Sequence, residues 1–177
     1  MKKVLINVIF ILIFFITYFL QSNFFNWFTI AQVMPNLFVI LVVWIGLFGN
    51  KFMGVTYGVL IGFFLDYLFR SKVGISAITL GLVGLIAKIF DKNFSKDSRI
   101  TIMLIVGALT AFYEIVSYFL SYVVFSTQIE IMSFIRILVI EIIYNIILTV
   151  IFYPLIQKFG YYVENEYKGN TILTRYF

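Results

Sequence analysis

Four ionisable residues fall within apolar stretches of this chain: Asp66, Glu114, Arg136 and Glu141. A charged side chain at the centre of a membrane helix costs about 2.5–3.5 kcal/mol on insertion scales, so each asks for a partner or a function. Asp66 stands four residues before Arg70, the spacing at which a carboxylate and a guanidinium meet on one helix face. The pair reads either as mutual neutralisation near the membrane edge or as a grip on a partner or ligand. Glu114 shares a helical face with Thr110, Ser117, Tyr118 and Ser121, and Glu141 shares one with Asn145 and Thr149. Such stripes must face protein or water rather than lipid. Glu114, Ser117, Tyr118, Glu141 and Asn145 are therefore candidates to line an internal pocket. The alternatives are protonated glutamates acting as hydrogen-bonding glue between helices, or a carboxylate pair coupled to an ion. Arg136 lies roughly 140° from Glu141 at about 100° per residue, so those two are not an obvious pair.

Catalysis finds little support in these residue types. The chain contains no cysteine and no histidine, which removes thiol nucleophiles, disulfides, haem ligation by His, Cys/His zinc sites and any Ser–His pair. Asp66 is the only aspartate within a span, whereas an intramembrane aspartyl protease needs two at depth. Gly54, Gly58 and Gly62 have helix-packing spacing rather than the pattern of a phosphate-binding loop. The reading is a protein that is not an enzyme and uses no cofactor.

The elements that must position these groups are membrane helices. Of 177 residues, 63% are apolar and only 12% charged, far outside the range of soluble globular domains. The fold class expected is all-α: one integral membrane domain over residues 1–177, with spans at about 4–20, 35–48, 52–69, 73–87, 100–125 and 131–153. The first run is longer than a signal-peptide core and lacks an A-x-A-like site, so it reads as a retained span. Residues 21–34 carry no charge and read as an interfacial loop or a short surface helix. Pro35 and Asn36 open the short second span. Residues 88–99 form the most basic loop, Pro154 closes the sixth span, and residues 158–177 form a polar tail.

Gly54, Gly58, Gly62, Asp66 and Arg70 recur every fourth residue and make one stripe, a groove ending in charge. Lipid is as apolar as the side chains it bathes, so helices associate where small residues let backbones approach. Gly74, Ala77, Gly81 and Gly84 give the fourth span a matching small face, and the two spans are expected to pack as an antiparallel hairpin.

The net charge of +5 does not point to nucleic acid, because the basic residues sit in short loops and tails. They fit topology instead. With both termini cytoplasmic, the inner side receives Lys2, Lys3, Lys51, the Lys88 to Arg99 cluster, Lys158, Lys168 and Arg175. Arg70 and Lys72 are exceptions on the outer side.

The order Pro35-Asn36-Leu37, then the Gly54, Gly58, Gly62, Asp66 run, then Gly74 entering a small-residue span, resembles the rod-shape-determining MreD family over nearly the whole chain. The resemblance implies a non-enzymatic component of the bacterial elongation machinery in the cytoplasmic membrane. Its partners would be MreC, MreB, and RodA with its penicillin-binding protein, supporting peptidoglycan synthesis and cell shape. It also implies a bundle similar to the S component of energy-coupling-factor vitamin transporters, which supplies the alternative function. S components typically dock through an Ala-xxx-Ala pattern in the first span, and Val4 to Leu20 contains no alanine. On the MreD resemblance, the glycine stripe and Asp66 would shape the outer end of the bundle, close to where MreC engages.

Overall fold

The structure is a computed structural model that describes residues 2–50, 52–69, 74–94, 96–126 and 130–168, without the side chains of Phe69, Asn93 and Lys168. Six α-helices follow in order: α1 Lys2–Phe19, α2 Leu37–Phe48, α3 Met53–Phe69, α4 Ile75–Asn93, α5 Arg99–Phe125 and α6 Ile131–Lys168. The expected all-α membrane architecture is what the chain adopts. Three stretches are long and apolar enough to cross a membrane by length and composition: Lys2–Phe24, Arg99–Phe125 and Ile131–Tyr167.

The core is built around α2. All 12 of its residues are buried, as a helix that is apolar on every side requires. Every other helix packs against it. At ~1.5 Å per residue it is roughly 18 Å long, too short to cross a hydrocarbon layer of about 30 Å alone. Its start is specified locally: Pro35 disfavours helix at the preceding residue, and the Asn36 side chain caps the helix by accepting the Val39 N–H at 3.3 Å.

Between α1 and α2 the chain makes one π-helical turn, Leu20–Phe24, and then a tight reversal at Ile30 and Val33. Ile30 and Val33 exchange both backbone hydrogen bonds, at 3.0 and 2.9 Å. Ala31 and Gln32 between them have positive φ, 49° and 66°, the backbone that a two-residue reversal of this hand needs. This segment folds back over one end of the bundle rather than forming a surface helix.

Two expected boundaries are corrected. α4 does not end near Ala87 but runs to Asn93, so Lys88, Asp91 and Lys92 are helical and only the residues after Asn93 form the connection. An i,i+3 ion pair of 2.7 Å between Lys88 and Asp91 supports the extra turns. Pro154, expected to close the last helix, lies inside α6. A proline removes one helical N–H and normally breaks a helix, but here α6 continues past it, with its far half held by packing. Ile156 and Val163 are buried, the Trp44 indole donates to the Ile156 carbonyl at 3.1 Å, and Gly160 lies against the Phe48 ring. The first part of the expected polar tail, residues 158–168, is therefore helix; the rest of it lies outside the described residues.

Candidate functional site

The glycine stripe meets α4. A Cβ on Gly54 would lie 2.7 Å from both the Gly46 Cα and the Gly84 carbonyl oxygen. On Gly58 it would overlap the Leu80 carbonyl, and on Gly62 the Ser76 carbonyl. Backbone therefore touches backbone along the whole α3–α4 hairpin, and Gly46 carries the same contact into α2.

The stripe ends on Asp66, which is fully buried. Its carboxylate accepts the Gly74 N–H at 2.8 Å, the Ser76 N–H at 3.0 and 3.1 Å on its two oxygens, and the Ala77 N–H at 3.2 Å. These donors are the otherwise unsatisfied first amides of α4, so Asp66 is a remote cap for the next helix, placed where the helix dipole favours negative charge. Gly74 makes the geometry possible with φ of 110°, a conformation open to glycine. Arg70, the partner that spacing offers to Asp66, lies outside the described residues.

The start of α2 is held from two sides. Gln21 donates to the Pro35 carbonyl at 2.7 Å and accepts the Leu37 N–H at 3.1 Å. Asn145, fully buried on α6, accepts the Asn36 N–H at 2.8 Å and donates to the Thr110 hydroxyl at 3.0 Å. Thr149 donates to the Asn145 carbonyl at 2.7 Å, and Ser117 donates to Thr79 at 3.2 Å. The polar stripes of α5 and α6 thus knit α2, α4, α5 and α6 together.

Within this frame lies a cavity of about 570 Å³, reached by Gln21, Asn36, Ser76, Tyr113, Glu114 and Glu141 among others. Of the five residues singled out for a pocket, Glu114 and Glu141 line it. Asn145 and Ser117 sit in the hydrogen-bonded packing just described, and Tyr118 stacks on Phe134 with ring centroids 4.3 Å apart. Pro35 and Asn36 also border the cavity. Sequence reasoning missed Gln21, Ser22 and Asn26, which line it from the segment read as an interfacial loop. Their signal was present: amides and a hydroxyl in an uncharged aromatic stretch next to a span.

A second constellation, at the opposite end of α2, was read only as topological charge. Lys96 pairs with Asp91 at 2.5 Å and Glu164 at 2.8 Å, and Lys88 pairs with Asp91 at 2.7 Å. The two lysines also donate to the last carbonyls of α2, Lys88 to Gly49 at 2.6 Å and Lys96 to Leu47 at 3.2 Å. Cations at a helix C-terminus satisfy its free carbonyls and oppose its dipole. Burial works against the Asp91 charge, but the hydrogen bonds and charges of Lys88 and Lys96 outweigh it and hold the carboxyl below its usual range. Nearby, the Tyr161 hydroxyl donates to the Asp97 carboxylate.

No curated protein and no solved structure shows a significant match to the chain. The family model described as rod shape-determining protein MreD matches residues 1–163, which takes in all of α1 to α5 and α6 as far as Val163. With the match spanning the capped α3–α4 hairpin, the buried α2 and the cavity alike, this chain belongs to the MreD family of rod shape-determining proteins.

Proposed function

We propose that this protein is a non-enzymatic scaffold of the bacterial elongation complex, a multi-pass protein of the cytoplasmic membrane with both termini inside. In this role it binds MreC directly and works with MreB, RodA and the penicillin-binding protein in peptidoglycan synthesis. The observation that carries the reading is the family match over residues 1–163. The geometry is compatible with it: glycine contacts, the Asp66 cap and the Asn145 network all tie the bundle to itself, the marks of a rigid body that presents fixed surfaces. Gly54, Gly58, Gly62, Asp66, Pro35 and Asn36 then act on partner binding through the shape they impose on the bundle. α1 buries only Ile6 and Phe10, leaving a long apolar face for lipid or for a partner's membrane helix. The ion-paired lysines at the C-terminal end of α2 support placing that end inside.

One observation favours a second reading. A cavity of about 570 Å³ between helices is what a vitamin-binding S component of an energy-coupling-factor transporter would need. A pull-down from native membranes in mild detergent, with mass spectrometry of bound proteins and small molecules, separates the two. The scaffold reading expects MreC and elongation synthases without a stoichiometric ligand. A retained vitamin together with ATPase subunits would overturn it.

A further inference from the structure

Arg136 is a charge that the bundle leaves unanswered. It is exposed on α6, inside the apolar run that starts at Ile131. All eight acidic residues of the chain are among the described ones, and none of them forms an ion pair or a hydrogen bond with it. Glu130, the nearest in sequence, accepts from the Ser133 hydroxyl at 2.9 Å and points about 120° away around the helix axis at about 100° per residue. An arginine within a membrane helix is costly unless an anion meets it, so its counter-ion comes from outside the chain. We propose that this counter-ion is the phosphate of an anionic phospholipid, held in the leaflet at the N-terminal end of α6.

The face of α6 below Arg136 fits an acyl chain. Met132, Val139, Ile143, Ile147 and Val150 share that face at helical spacing, and all are exposed. From Arg136 to Val150 the stripe runs ~21 Å at ~1.5 Å per residue, longer than half of a hydrocarbon core of about 30 Å. A partner's membrane helix fits it poorly: such helices meet where small residues let backbones approach, and this stripe has none. A helical arginine leans toward the N-terminus of its helix and carries its charge to the interface on a long apolar stem. An independent observation marks the headgroup level there. Tyr144, little more than two turns along α6 from Arg136, donates to the Phe28 carbonyl at 2.7 Å, which fixes the segment bearing exposed Phe24, Trp27 and Phe28 beside α6. Such rings settle among lipid headgroups, where phosphates lie. The inference is independent of the scaffold reading: failure to recover MreC would leave this site untouched.

The test places the full chain in phosphatidylcholine nanodiscs with a trace of probe lipid that carries a photoreactive group in its acyl chain, and maps the adducts by mass spectrometry. The probes are phosphatidylglycerol, phosphatidylethanolamine, whose ammonium cancels its phosphate charge, and diacylglycerol, which has no phosphate. The expected result is phosphatidylglycerol labelling concentrated at Val139, Ile143 and Ile147, and about tenfold lower in Arg136→Gln. Labelling of the exposed face of α1 should not change, and the other two probes should label the α6 stripe less than phosphatidylglycerol does. Because Arg136 is exposed, Arg136→Gln should elute and melt like the parent; should it not, the comparison of probes on the parent carries the test. Equal labelling of the stripe by phosphatidylglycerol and either other probe, or labelling unchanged in folded Arg136→Gln, overturns the proposal. So does a photoreactive residue placed at Val139 that in native membranes joins another protein's helix instead of lipid.

Discussion

The Asp66 carboxylate reaches ten residues along the chain to accept the Ser76 backbone N–H on both of its oxygens, at 3.1 and 3.0 Å. The last charged residue of the described α3 is thereby the cap of α4, and its side chain ties the two helices of the hairpin together. Replacing it by alanine leaves the amides of Gly74, Ser76 and Ala77 without an acceptor in a buried place. Asp66→Ala is expected to lower stability by at least about 2 kcal/mol, read as an earlier thermal unfolding transition in detergent. Asp66→Asn keeps one acceptor oxygen and should lose less. Equal melting of Asp66→Ala and the parent would contradict the capping role.

The glycines separate by what surrounds them. A methyl group on Gly84 would run into the Gly54 carbonyl and Cα, backbone that cannot move aside, whereas on Gly107 it would meet the flexible end of Ile146 at 3.0 Å. Gly84→Ala should cost about 1–3 kcal/mol or more through overpacking. Gly107→Ala should be close to neutral, because alanine's helix propensity, worth about 1 kcal/mol, offsets a small side-chain shift. Measured side by side, the same chemical change thus distinguishes backbone contact from side-chain contact.

Asn145 holds the start of α2 through the Asn36 N–H at 2.8 Å. Asn145→Leu leaves that amide and the Thr110 hydroxyl without their partner, an expected loss of about 1–3 kcal/mol for each buried group stranded. Thr110→Val removes a single hydrogen bond and should lose about 1 kcal/mol. Hydrogen exchange of the Asn36 amide, slow in the parent and fast in Asn145→Leu, reads the contact directly.

At the other end of α2, Asp91 has its carboxyl held below the ordinary value near 3.8 by Lys88 and Lys96. A depressed folded-state value means that ionised Asp91 contributes stability above the unfolded-state value, and that this contribution is lost as pH falls below it. Unfolding scans should therefore show no Asp91-dependent change between pH 5 and pH 8 and a decline only below about pH 4. Lys96→Met removes the cation shared by Asp91 and Glu164. It should destabilise by about 3 kcal/mol or more at neutral pH, since breaking a buried pair strands its charge, and the deficit should shrink in acid as those carboxylates protonate.

Much of the fold was legible because apolar runs and small-residue spacing act locally. The six helices, the capping start at Asn36 and the facing small stripes of α3 and α4 all follow from residues within a few turns of one another. Pro154 was misread because its effect is normally local, while what holds α6 together there is tertiary: the Trp44 indole, the Phe48 ring and Lys96 come from elsewhere in the chain. Likewise, Lys88 and Lys96 looked like topological charges because their acceptors, the carbonyls of Gly49 and Leu47, are about 40 to 50 residues away. The cavity was half legible. Glu114 and Glu141 announce themselves by depth, but Gln21 and Ser22 join them only because the segment before α2 folds back over the bundle.

The scaffold reading is tested most directly by mixing the purified chain with purified full-length MreC in nanodiscs and measuring complex mass and stoichiometry. The account predicts a defined complex that forms without any added small molecule. It also predicts that Gly107→Ala leaves the complex intact, while Gly84→Ala weakens it only as far as it unfolds the hairpin. Absence of a complex, with stable association instead to the ATPase and coupling subunits of a vitamin transporter, would contradict it.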